Sequence, residues 1–154
     1  MSRLQREVKK KTPFEQLEQE AALNLARTND RIQIGFDRLF RDYALTPSQY
    51  NILRILRGEA KPMPILEIAE RTVTIVPGIT GLIDRLERAG FVVRRRCTED
   101  RRVIFVEITA EGRDVLKRLD QPVLDLHQEL MGHLSEKELR DLIRLLEKVR
   151  DTSE

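Results

Sequence analysis

The stretch Ile75-Val-Pro-Gly-Ile-Thr-Gly-Leu-Ile-Asp84-Arg-Leu-Glu-Arg-Ala-Gly90-Phe-Val-Val-Arg-Arg-Arg96-Cys-Thr-Glu-Asp100-Arg-Arg-Val-Ile-Phe-Val-Glu-Ile-Thr109 decides how the rest of the chain is read. Ile79, Leu82, Ile83 and Leu86 recur at helical spacing, and Gly90 follows as a stop. This predicts a helix from near Pro77 to Ala89. FVVRRR and VIFVEIT are rich in β-branched residues, and Ile104, Val106 and Ile108 alternate with Phe105 and Glu107. They predict two strands joined through the polar turn CTEDR.

Upstream, Thr46-Pro47-Ser48-Gln49 is a helix start, with a capping threonine, a proline in the first turn and a glutamine able to close a capping box. That helix is expected to bury Tyr50, Leu53, Ile55 and Leu56 and to stop at Gly58. The segment EAKPMP reads as a loop. Pro64 then opens a short helix, ILEIAERT, with Ile65, Ile68 and Ala69 inward. Val73, Thr74 and Ile75 link it to the next helix. Two helices joined by a brief turn make a helix-turn-helix, and the basic hairpin after it completes a winged-helix pattern.

The flanks are helical. Leu17, Ala21, Leu25, Thr28, Ile32, Phe36, Leu39 and Tyr43 recur at three and four, predicting a long helix from Pro13 to about Tyr43. Residues 1–12 are polar and read as a flexible basic arm. Thr109 caps a further helix to about His133, in which Pro122 is expected to force a kink or break. Ser135 and Glu138 make a capping box for the last helix, which carries Leu139, Leu142, Leu146 and Val149. The expected organisation is an arm (1–12), a helical dimerisation region (13–44 and 110–154) and a winged helix-turn-helix lobe (45–109). The fold class is mainly α with a small β-wing.

Charge is segregated. Residues 1–11 carry five basic side chains against one acid, and residues 85–102 carry seven arginines against three acids, yet the chain nets only +2. Between Lys61 and Lys117 every basic residue is arginine, whose planar fork suits phosphates and guanine edges. Such clustering on one hairpin favours a polyanionic partner over a merely solvated face.

Other classes are disfavoured. No nucleophile–base constellation or phosphate-binding glycine loop stands out, so no catalytic residue is assigned and an enzyme is not expected. His127 and His133 lie six residues apart, off one helix face, and with one cysteine elsewhere they give no metal site. No cofactor is expected. No apolar run approaches the roughly 18 residues of a membrane span, and the N-terminus lacks the apolar stretch of a signal peptide. One cysteine, Cys97, excludes an internal disulfide framework, so the expected location is the cytoplasm.

These elements and their order resemble the MarR family of bacterial winged-helix transcription regulators. The resemblance lies in DRLE-x-x-G from Asp84 to Gly90 and in D-x-R-x-x-x-V-x-[LI]-T at Asp100, Arg102, Val106, Ile108 and Thr109. It extends to the T-x-x-G start at Thr109 and Gly112, and to LTPSQYNIL from Leu45 to Leu53. It implies a homodimer built by the first and last two helices, with two winged lobes on a pseudo-palindromic site in double-stranded DNA. It also implies, in many members, a repressor released by a small aromatic or phenolic ligand.

On that basis the helix would present Pro77, Gly78, Thr80, Gly81, Arg85 and Arg88 to DNA, with Asp84 paired to Arg88 at i,i+4. Gly81 departs from the family, where arginine is common. This shifts readout toward Thr80, Arg85, the wing and DNA shape. Arg94, Arg95, Arg96, Arg101 and Arg102 would form the basic wing, with Asp100 and Arg102 shaping its turn. Arg27, Phe36, Phe40, Tyr43 and Met131 are candidates for an effector pocket, although ordinary core and dimer packing explains each apolar member better, since stripes at helical spacing are usually core. Two alternatives stand beside this reading. One is a winged-helix architectural or protein-interaction module without an effector. The other is an oxidation-responsive regulator acting through Cys97, against which an incidental surface thiol weighs more heavily.

Overall fold

The structure, a computed structural model, describes residues 1–74 and 76–151. Ile75, the last residue of the expected linker, lies outside the described residues, as do residues 152–154. The chain divides into two compact units, Met1–Arg38 and Leu39–Glu154.

In the first unit the expected arm is a short helix, α1 (Arg3–Glu7). The Ser2 side chain caps it by accepting from the Gln5 N–H at 3.2 Å, and Leu4 is buried. A serine cap and one apolar anchor are local signals that a reading of bulk polarity passes over. Glu7 accepts from Arg3 and from Arg27, each at 2.8 Å, tying α1 to α2 (Leu17–Arg41). Helix α2 starts four residues later than expected from Pro13, and its only buried residue is Phe40.

The second unit holds the winged lobe and the last two helices. Helix α3 (Pro47–Glu59) opens with the complete capping box: Thr46 Oγ1 accepts from Gln49 N at 3.2 Å, and Gln49 Oε1 accepts from Thr46 N at 3.0 Å. Gly58 does not stop it. The helix runs on one residue, and Ala60 takes the left-handed cap at φ 58°. The segment read as a loop contains strand β1 (Met63–Pro64), which precedes α4 (Ile65–Glu70). Helix α5 (Ile79–Arg88), β2 (Val92–Arg96) and β3 (Ile104–Ile108) follow. The sheet is antiparallel in the order β1-β3-β2, with Met63 opposite Val106 and the β2–β3 ladder running from Val92 opposite Ile108 to Arg96 opposite Ile104. A mainly helical chain with a three-stranded antiparallel wing sheet is the observed fold class.

Ile52, Leu53, Leu56, Met63, Ile68, Ile83, Leu86, Val92, Val106, Val115, Leu116 and Leu119 are essentially inaccessible and form the core of this unit. Burying side chains of this size contributes about 1.5–3 kcal/mol each. Phe40 stacks on Tyr50 with centroids 4.3 Å apart. Helix α6 (Ala110–Met131) passes through Pro122 without a break, one of the two outcomes, kink or break, expected there. It is anchored to α3 by a two-pronged pair from Arg57 to Asp120 at 2.8 and 3.0 Å. Thr109 holds the start of α6: its hydroxyl donates to Gly90 O at 2.6 Å and accepts from Gly112 N at 3.1 Å. Gly112 has no room for a side chain, since a Cβ there would sit 2.8 Å from Ile108 Cγ1 and against the Phe91 carbonyl. The T-x-x-G pattern is thus a packing requirement where helix meets sheet. Helix α7 (Glu136–Arg150) has its own capping box from Ser135 and Glu138 and no buried residue.

Candidate nucleic-acid interface

Helix α5 enters through Gly78, whose φ of 71° places it outside the helix as a left-handed cap. Glycine takes that conformation at little cost, so backbone geometry is sufficient to account for Gly78. Ile83 and Leu86 fix the helix to the core, with Ile79 and Leu82 half-buried. Pro77, Thr80, Arg85 and Arg88 are exposed. Gly81 lies within the helix at ordinary φ, and a Cβ added there would meet nothing within 4 Å.

The wing turn is built locally. Cys97 N donates to Val103 O at 3.0 Å, and Val103 N donates to Asp100 O at 3.0 Å. Asp100 Oδ1 accepts from the Arg102 backbone N–H at 3.0 Å and from its Nε at 3.2 Å, while Oδ2 accepts from Nη2 at 3.3 Å. The side-chain bond from Arg102, then its backbone bond, hold the Asp100 carboxyl below its usual pKa. Arg96, Arg101 and Arg102 are exposed. Cys97 is half-buried, and with Arg96, Thr98 and Arg101 it lines a shallow recess of about 340 Å³ at the wing tip.

Not every wing arginine projects outward. Arg94 is folded back onto α5, with its side chain only 21% exposed. Its Nη2 pairs with Asp84 and donates to Thr80 O at 3.3 Å, and its Nη1 donates to Glu87 Oε1 at 3.1 Å. Its backbone N–H donates to Glu87 Oε2 at 2.9 Å. Burial opposes its charge, but the two carboxylates outweigh that and raise its pKa. Asp84 therefore pairs with Arg94 across the turn rather than with Arg88 along the helix. Arg95 forms a 3.0 Å ion pair with Glu107 Oε2 that lacks hydrogen-bond geometry, and it stays largely exposed. Sequence reasoning did not single out Glu87. The available signal was the i,i+3 spacing of Asp84 and Glu87, which puts two acids on the α5 face turned to the strand that follows.

The expected effector residues are distributed over both units. In the first, the Arg27 guanidinium is engaged by Glu7, and Phe36 is half-buried. In the second, Phe40 is 2% exposed and stacked on Tyr50. Tyr43 lies under the Arg118 guanidinium at 5.7 Å, and Met131 is half-buried at the end of α6. Among the described residues no group of three or more His, Cys, Asp or Glu could hold a metal ion. Nor is any described helix long and apolar enough to cross a membrane.

The family model described as MarR family matches residues 45–104. A solved MarR transcription factor from Planctomyces limnophilus is 44% identical, with 88% of this chain and 98% of that one covered at a TM-score of 0.69. A mutant MarR from Escherichia coli complexed with operator DNA is 26% identical, covering 88% of this chain and 99% of that one at a TM-score of 0.76. The homoprotocatechuate degradative operon repressor of Escherichia coli is 28% identical over 73% of this chain and 75% of its own length.

Proposed function

This chain belongs to the MarR family of DNA-binding transcription regulators, not to a class of enzymes, and on that premise we propose that it is a dimeric, sequence-specific repressor released by a small aromatic or phenolic ligand. The observation that carries the DNA-binding part is the division of labour among the wing arginines. Arg96, at the end of β2, and Arg101 and Arg102, on the turn held by Asp100, are exposed beside a helix that exposes Thr80, Arg85 and Arg88, with half-buried Gly81 between them. Arginine on a narrow hairpin tip suits the minor groove, where negative potential is focused. Helix α5 would lie in the adjacent major groove, and two copies would address half-sites about 34 Å apart. Residues 45–109 would then be the DNA-binding lobe, and residues 13–44 with 110–154 the dimerisation region.

The repressor role is supported by the similarity to the homoprotocatechuate degradative operon repressor. That pathway's aromatic substrate class motivates an aromatic effector. Fluorescence anisotropy on the DNA upstream of the gene, with and without aromatic carboxylates and phenols, tests the whole reading. Sequence-specific binding that a ligand releases is the expected result. Binding that is salt-sensitive but indifferent to sequence and ligand would instead mark an architectural module.

A further inference from the structure

We propose that Arg94 is a positioning residue for DNA recognition, a clamp that sets the angle between the recognition helix and the wing without touching DNA. The inference rests on the reading of α5 and the wing as one DNA-binding surface. It starts from an imbalance in the wing. Arg96, Arg101 and Arg102 are exposed, whereas Arg94 points back across the β2 face and meets three groups of α5: the Asp84 carboxylate, the Glu87 carboxylate and the Thr80 carbonyl. Glu87 closes the loop by accepting from the Arg94 backbone N–H at 2.9 Å. The strand is thus held by main chain and side chain together.

A guanidinium fork can satisfy two carboxylates and a carbonyl at once, where an ammonium offers a single point. Thr80 O and Asp84 sit in the first turns of α5 and Glu87 in its last, so the fork spans most of the helix. Asp84 and Glu87 would otherwise be uncompensated acids on a surface meant for phosphates. Arg94 neutralises them and spends its own charge in doing so. The wing angle matters because groove-spanning contacts require the helix and the hairpin tip to reach the duplex together.

Two effects of opposite sign make this testable. Removing the Asp84 charge should tighten DNA binding if electrostatics toward phosphate dominates. It should weaken binding if the clamp dominates. The experiment measures operator affinity at several salt concentrations for the full chain and for Asp84→Asn, Arg94→Ala, Arg94→Lys and the Asp84→Asn/Arg94→Ala pair, with Arg101→Ala as the phosphate-contact control. Circular dichroism melts check folding, and amide exchange at Arg94 is read in the absence of DNA.

Asp84→Asn is expected to lose about fivefold to tenfold in affinity, and the double variant to be no worse than Arg94→Ala alone, as members of one network behave. Arg94→Lys is expected to be as weak as Arg94→Ala although its charge is kept. The salt slope should stay at the wild-type value in every clamp variant, whereas Arg101→Ala should flatten it by about one. Faster exchange of the Arg94 amide in Asp84→Asn should report the loosened strand. Tighter or unchanged binding by Asp84→Asn, rescue by Arg94→Lys, or a flattened slope in Arg94→Ala would overturn the clamp and return Arg94 to the phosphate-contacting set. If Arg94→Ala does not fold, the Asp84→Asn and Arg94→Lys arms decide. Wild-type protein that binds no DNA, or an Arg101→Ala control without effect, would instead sink the DNA-binding surface itself and the clamp with it.

Discussion

Gly81 sits in the middle of a ten-residue helix with ordinary backbone angles and open space where a side chain would go. Glycine there costs about 1 kcal/mol against alanine, and no neighbour among the described residues stands where its Cβ would go. In the proposed function, close approach of the α5 backbone to DNA gives this glycine a use. Gly81→Ala is expected to melt at a higher temperature than wild type while binding operator DNA more weakly. A variant both more stable and equally tight would remove Gly81 from the interface. The wing arginines separate in the same way. Arg101 makes no bond that shapes the turn, so Arg101→Ala should lose affinity and flatten the salt slope by about one with the turn intact. Arg102 is bound to Asp100 through three donors, so Arg102→Ala should also unsettle the turn, visible as faster exchange of the Cys97 and Val103 amides.

At the scale of the element, the wing turn is a pH-dependent structure with a definite sign. Arg102 holds the Asp100 carboxyl below its ordinary value in the folded wing. Asp100 therefore stabilises the turn at every pH above the unfolded carboxylate range near about 3.9. That contribution fades as the pH falls through the lower folded value. The Asp100 carboxyl carbon, followed by NMR, should titrate below the range of exposed aspartates, and Arg102→Ala should move it back up. A midpoint unchanged by the substitution would show that Arg102 does not hold the turn. The neighbouring helix entries depend on the same kind of local bond. The boxes at Thr46 and Ser135 each satisfy donors that a helix end leaves open.

For the molecule as a whole, α2 and α7 are too apolar for what they bury. Helix α7 exposes Ile143, Leu145 and Val149 to 56%, 50% and 59% and buries nothing fully. Leu17, Leu23, Leu25 and Ile34 of α2 are likewise exposed. A 15-residue helix draws most of its stability from packing an apolar face, so α7 calls for a covering surface. In the proposed homodimer a second copy provides it. Sedimentation should find a dimer at micromolar concentration, and Ile143→Asp combined with Val149→Asp should yield a monomer with weaker operator binding. A wild-type monomer would refute the dimer, and with it the paired half-site geometry.

The sequence alone determined the elements whose signals are local. The Thr46 and Ser135 boxes, the apolar line of α5 ending before Gly90, and the alternation of β3 each lie within a few residues of the structure they create. Tertiary structure decided what depends on partners remote in the chain or too brief to show a period. Strand β1 has two residues and exists because β3 offers it a free edge. The end of α3 moved from Gly58 to Ala60, whose left-handed turn leads into β1, and Pro122 is carried within α6 by a helix already anchored to the core on both sides. Above all, seven arginines from 85 to 102 look alike in sequence. Only the folding of β2 back along α5 distinguishes Arg94, captured by Asp84 and Glu87, from the arginines left at the tip. Charge can be counted along a chain, but which charges remain available is fixed by what folding brings within hydrogen-bonding distance.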